Sequence, residues 1–192
     1  MQKAEGVSEL LLRWSSGDKD ALNLLMQLVY DELRVLANIH LRAEQHNYSL
    51  QPTMIVHELY LRFVSQQSIS LESRAQFFAM SAKMVRNILV DQVRLQQAAK
   101  RGGRQFHIAL SEADRFIKGQ DIDLVALDDS LNTMAAIMPQ HSQIIELRFF
   151  GGLTIEEIAK VMDLSPATVN RYWIFAKTWL YRELCKKQDK VE

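Results

Sequence analysis

Leu153-Thr154-Ile155-Glu156-Glu157-Ile158-Ala159-Lys160-Val161-Met162-Asp163-Leu164-Ser165-Pro166-Ala167-Thr168-Val169-Asn170-Arg171-Tyr172-Trp173 reads as two short helices joined by a tight turn. Thr154 is placed to cap the first helix, and Glu157 three residues on closes a capping box. Ala159 is small where two helices must approach closely. Asp163-Leu164 supplies the turn. Ser165 caps the second helix and Pro166 takes its first position, where a missing N–H costs nothing. Ile155, Ile158, Val161, Met162 and Leu164 then face Val169, Trp173, Ala176 and Leu180 at helical spacing. The pattern is that of a helix-turn-helix.

That packing assigns the outer face of the second helix to Ala167, Asn170, Arg171, Ile174, Phe175 and Thr178, and the candidate DNA contacts are Ala167, Thr168, Asn170, Arg171, Ile174, Phe175 and Lys177. In a helix-turn-helix this face enters the major groove. Asn170 suits adenine, Arg171 suits guanine or phosphate, and Ile174 or Phe175 suits a thymine methyl. A helical hairpin that binds nothing is the plain alternative, and Ile174 and Phe175 read equally well as core residues.

Helical periodicity extends over most of the remaining chain. Residues 8–41 carry Leu10, Leu11, Trp14, Ala21, Leu24, Leu25 and Leu28, with a break at Ser16-Gly17-Asp18 where Asp18 can cap. Pro52 opens a helix with Ile55, Val56, Leu59, Tyr60 and Phe63. A long helix over 74–97 has Phe77 and Phe78, read as core, on its apolar side, and Lys100-Arg101-Gly102-Gly103-Arg104 ends it. The pattern weakens over 105–130 and returns from 131. No alternating strand pattern is visible. The fold class expected is all-α: two small helical domains, 1–104 and 131–192, joined by an acidic linker at 105–130.

The chain has 192 residues, of which 48% are hydrophobic and 24% charged, with a formal net charge of zero. This zero hides segregation. Residues 83–104 sum to +5 and residues 105–130 to −4. The single cysteine, Cys185, excludes an internal disulfide and a thiolate zinc site, and suits the reducing cytoplasm. No apolar run approaches the ~20 residues of a membrane helix. An enzyme is disfavoured: His57-Glu58 begins like a zinc-protease motif, but Leu61 stands where its second histidine belongs. No phosphate loop or nucleophile setting appears, so no cofactor and no metal is expected.

Leu147-Arg148-Phe149-Phe150-Gly151-Gly152-Leu153-Thr154-Ile155-Glu156-Glu157-Ile158-Ala159, followed by Leu164-Ser165-Pro166-Ala167-Thr168-Val169, resembles the −35-reading region of extracytoplasmic-function (ECF) sigma factors of bacterial RNA polymerase. Val56-His57-Glu58-Leu59-Tyr60-Leu61-Arg62-Phe63 resembles that family's polymerase-clamp helix. Arg86-Asn87-Ile88-Leu89-Val90-Asp91-Gln92-Val93-Arg94 resembles its −10-reading helix. Three matches in order, over most of the chain, point to a divergent subgroup. Met54 stands where the family often has Asp, His57 where Gln is common, and Asn170 where a basic residue is usual.

The resemblance implies a subunit that joins core polymerase, through clamp and flap contacts, and directs it to promoter DNA. His57, Glu58 and Arg62 would face the polymerase. Lys83, Arg86, Asn87, Arg94, Lys100, Arg101 and Arg104 would hold the −10 element, and the 65–73 loop would capture a flipped base. The acidic linker would run toward the polymerase active-site channel, or else is merely solvated. An anti-sigma partner and a monomeric state follow from the same resemblance. The competing reading is a stand-alone helix-turn-helix regulator with an N-terminal sensor or interaction domain.

Overall fold

The computed structural model describes residues 2–41, 51–66, 71–99, 107–108 and 122–188. Helices α1 (Gln2–Ser15), α2 (Lys19–Leu41), α3 (Pro52–Val64) and α4 (Arg74–Ala99) form the first half. A two-residue antiparallel pairing joins β1 (His107–Ile108) to β2 (Ile122–Asp123). Helices α5 (Leu124–Ile137), α6 (Pro139–Phe149), α7 (Ile155–Met162) and α8 (Pro166–Gln188) form the second half. The fold is all-α apart from that short pairing.

Local chemistry sets the helix ends. Asp18 Oδ1 accepts from the Asp20 and Ala21 N–H groups at 3.0 and 3.2 Å, while Arg13 donates to its other oxygen at 2.8 Å. The Arg13 guanidinium holds the Asp18 carboxyl below the usual carboxylate range; desolvation opposes this, and the Ala21 and Asp20 N–H groups add to it. Pro139 turns the chain between α5 and α6: Met138 leaves the helical region at φ −142°. The Ser142 hydroxyl then donates to the Leu131 carbonyl at 3.0 Å and ties α6 to α5.

Trp14, Phe63, Phe77 and Phe78 form an aromatic chain through the first half, with Phe63 and Phe77 stacked at 4.9 Å. Phe77 and Phe78 are core residues, as their place on the apolar side of the helix suggests. The buried cluster does not stop at α4. It continues through Leu124, Leu127, Leu131, Ile144 and Phe150 to Ile158, Val169 and Trp173, because α4 lies along α5, α6 and α7.

The fold departs from the sequence pattern at two places. The expected linker, 105–130, ends early: α5 begins at Leu124, capped by Asp123, whose carboxylate accepts from the Val125 N–H at 2.9 Å. Leu124, Leu127, Leu131 and Met134 form its buried stripe, and Asp128, which gave the segment its linker-like look, is buried with them. The β1–β2 pairing was also not foreseen, since two residues per strand leave no alternation to read.

At the α6–α8 contact the His141 ring stacks on Tyr172 at 4.3 Å and meets Phe175 edge-on at 5.2 Å. Burial there holds the imidazole below its ordinary 6.5. The fold favours the neutral ring, so the unfolded chain takes the proton first as pH falls. This contribution to stability is complete above 6.5 and is lost as pH drops from there through the lower folded value. The melting temperature should therefore fall between about pH 7.5 and pH 5, and fall less in His141→Phe. In Thr154→Ala, which removes the acceptor for the Glu157 N–H, urea unfolding should show a loss of about 1 kcal/mol.

Candidate nucleic-acid interface

The helix-turn-helix forms as its sequence implies. Thr154 Oγ1 accepts from the Glu157 N–H at 3.2 Å, and Glu157 Oε2 accepts from the Thr154 N–H at 2.9 Å. Asp163 closes α7 in the left-handed region at φ 53°, a conformation Asp tolerates better than most side chains. Ser165 Oγ accepts from the Thr168 N–H at 3.1 Å and caps α8. Val169, Trp173, Ala176, Leu180 and Leu184 are buried, which turns the opposite face of α8 outward.

On that face Ala167, Asn170 and Arg171 are exposed, and Ile174 and Phe175 each keep 50% of their surface. These two are not core residues. Thr168 is half-buried, its hydroxyl 2.9 Å from that of Ser165. Lys177 is half-buried too, with its ammonium 4.8 Å from the Trp173 ring centre. The Arg171 guanidinium lies 5.6 Å from the Tyr172 ring. The open part of the face is thus Ala167, Asn170, Arg171 and Ile174, while Thr168, Phe175 and Lys177 also serve the fold.

The α4 residues are divided. Lys83 and Asn87 are exposed and line a cleft of about 660 Å³ whose far wall is Gln143, Glu146 and Leu147 of α6. Arg86 is only 8% exposed. Its Nε donates to Asp128 Oδ1 at 2.9 Å and its Nη1 to Glu146 Oε1 at 3.1 Å. Its Nη2 donates to the Asp128 carbonyl at 3.0 Å and to Asn132 Oδ1 at 2.7 Å. Arg94 donates to the other Asp128 oxygen at 3.1 Å. In this arrangement Arg86 faces the second half of the chain, not solvent. Lys100, Arg101 and Arg104 lie outside the described residues.

On α3, Met54, His57, Leu61 and Val64 are exposed at spacings that put them on one side of the helix. Glu58 and Arg62 flank that stripe. Arg62 donates to Glu58 at 3.2 Å and to Asp91 of α4 at 3.1 Å. Of the 65–73 loop, residues 67–70 lie outside the described set.

Sequence reasoning did not find the acceptors of Arg86. Asp128, Asn132 and Glu146 sit 42, 46 and 60 residues away. The spacing of Asp128 from Leu124 and Leu131 was the available signal, since it puts all three on one side of α5. Arg74 was also passed over. It lies over the Phe78 ring at 4.4 Å, donates to Glu157 at 2.8 Å and pairs with Glu32. Among the described residues no group of His, Cys, Asp or Glu could hold a metal ion, and no helix is long and apolar enough to cross a membrane.

The sequence profile of the family described as ECF sigma factor matches residues 4–186. No curated protein matches the chain. Among solved structures, the sigma factor RpoE of Bartonella quintana, in complex with the anti-sigma factor NepR, is similar at 18% identity and a TM-score of 0.40. That match covers 84% of this chain and 95% of the other. With a profile match over nearly its whole length, beside a capped helix-turn-helix with an open outer face, the chain belongs to the ECF sigma factor family.

Proposed function

We propose that the protein joins core RNA polymerase and directs it to promoters, with α8 reading the −35 element and α4 holding the melted −10 element. The observation that carries this reading is the outer face of α8. Ala167, Asn170, Arg171 and Ile174 stand open on a recognition helix whose other side is fully packed. They supply the amide, guanidinium and methyl chemistry that base edges in the major groove accept. Family membership supports a recognition role, in which bond-making chemistry belongs to the polymerase.

The α3 stripe supports polymerase docking. Met54, Leu61 and Val64 keep 50%, 47% and 54% of their surfaces. Aligned apolar side chains around His57, with the Glu58–Arg62 pair at the rim, fit an interface with a buried apolar centre and a polar edge. The two halves act as separate modules in this reading, residues 1–104 on the clamp and the −10 element and residues 131–192 on the −35 element. The 105–130 segment joins them, its last residues built into α5.

Run-off transcription with purified core polymerase tests the whole reading. Promoter-specific transcripts are expected, and a chain that neither binds core nor yields them is not a sigma factor. Leu61→Asp should cut co-purification with core at least tenfold while leaving the helix content unchanged, because it puts a charge at the centre of the stripe. Arg171→Ala should weaken binding of −35 duplex by about 1–3 kcal/mol if the guanidinium grips a base pair. Equal affinity in parent and variant would exclude this face of α8.

A further inference from the structure

Arg86 and Arg94 belong to the helix assigned to −10 DNA, yet in this fold both guanidinium groups are held by the second half of the chain. Asp128 binds both, one carboxylate oxygen to each. Glu146 and Asn132 complete the shell around Arg86. The same α6 residue, Glu146, forms part of the wall facing Lys83 and Asn87 across the cleft. At Arg86 the −10 face is therefore covered by carboxylates, while Arg94, 53% exposed at its side chain, is paired at the edge of the contact. Asp128 and Glu146 are 9% and 16% exposed at their side chains, so this is an enclosed contact and not a loose surface pair.

We infer that Asp128 and Glu146 form an anionic latch, which closes the nucleic-acid face of α4 against α5 and α6 until the halves part. The inference rests on the proposed role of α4. Its chemistry is exchange. A guanidinium that leaves a carboxylate for a phosphate keeps charge-assisted hydrogen bonds of the same geometry. A phosphate competes for Arg86 in a way that no apolar ligand could. Opening also hydrates Asp128 and Glu146, so neither is left as a buried, unpaired charge.

A second contact closes on the same movement. Arg74 of α4 reaches Glu157, whose other oxygen caps the helix-turn-helix at Thr154. Gly151 lies so near α4 that a Cβ placed there would come within 3.0 Å of the Ala82 methyl and 3.2 Å of the Phe78 carbonyl oxygen. Arg74 and Gly151 therefore place α7 against α4 on the same side as the latch.

The test uses the full chain with Cys185→Ser, spin-labelled at Lys19→Cys and Lys186→Cys, one exposed site in each half. Inter-label distances are measured by pulsed electron resonance. Binding of a fluorescent 12-nucleotide single-stranded oligonucleotide is measured at about 0.1 M salt. The parent should give one short distance and weak binding. Asp128→Asn should add a longer distance and raise oligonucleotide affinity about tenfold, the gain expected if the open fraction rises from about 1% to about 10%. Glu146→Gln, nearly isosteric and so safe for the fold, should shift both readouts in the same direction by a smaller factor. Asp129→Asn removes the same charge from the exposed neighbour and should move neither.

Unchanged distances in both latch variants would overturn the inference, as would an equal affinity gain in Asp129→Asn. Longer distances without tighter oligonucleotide binding would also overturn it, since the covered face would then not be a nucleic-acid face. The distance readout needs no polymerase, so failure of the sigma reading in run-off transcription is separable from failure of the latch.

Discussion

One guanidinium organises the contact between the two halves of this chain. Arg86 enters the interface from the middle of α4 and meets acceptors from α5 and α6. A charge at 8% exposure is tolerable only with partners for its donors. Such an arrangement adds little net stability over an apolar one, but leaving the buried guanidinium with no charged partner at all would cost about 3–5 kcal/mol. It therefore fixes which face of α4 meets α5 and α6 more than it strengthens the fold. The close approach of Gly151 to the Ala82 methyl has shape but little direction. The network supplies the direction.

The turn between α6 and α7 translates that contact into the placement of the helix-turn-helix. Gly151 lets the backbone rest on α4, and Gly152, at φ +64°, turns the chain away beneath Leu36 of α2. A side chain at 152 would be strained by the left-handed backbone and would press on Leu36. Two residues later Thr154 starts α7, and Glu157 divides its carboxylate between the Thr154 N–H and Arg74. The cap that defines the start of the motif is thus also a link to the first half of the molecule.

What could be read in advance follows the range of the interactions. Caps, turns and helical stripes act within a few residues, so Asp18, Pro52, Thr154-Glu157 and Ser165-Pro166 were visible as sequence. The outer face of α8 followed by subtraction from Val169 and Trp173. Residues 124–130 were misread because composition outweighed period there: Asp128 and Asp129 made a helix look like linker, though Leu124, Leu127 and Leu131 kept the spacing. The fate of Arg86 was not legible at all. Its basic character suggested nucleic acid, and nothing local says that three of its acceptors lie more than 40 residues away.

The neutral net charge takes on a physical meaning from these pairs. Arg62, Arg74, Arg86 and Arg94 each have a carboxylate partner within the fold. The basic block that the sequence shows at 83–104 is in part discharged against acids of its own chain. The field that such a protein presents to DNA depends on conformation, not on composition alone. With α4 closed on α5 and α6, Arg86 is paired and sheltered, and the open face of α8 carries only Arg171 among the fully exposed side chains named there. With the halves apart, Arg86 returns to solvent and Arg94, already half exposed, loses its carboxylate partner on the same helix. A neutral chain can then offer a locally cationic surface without changing any residue's protonation state.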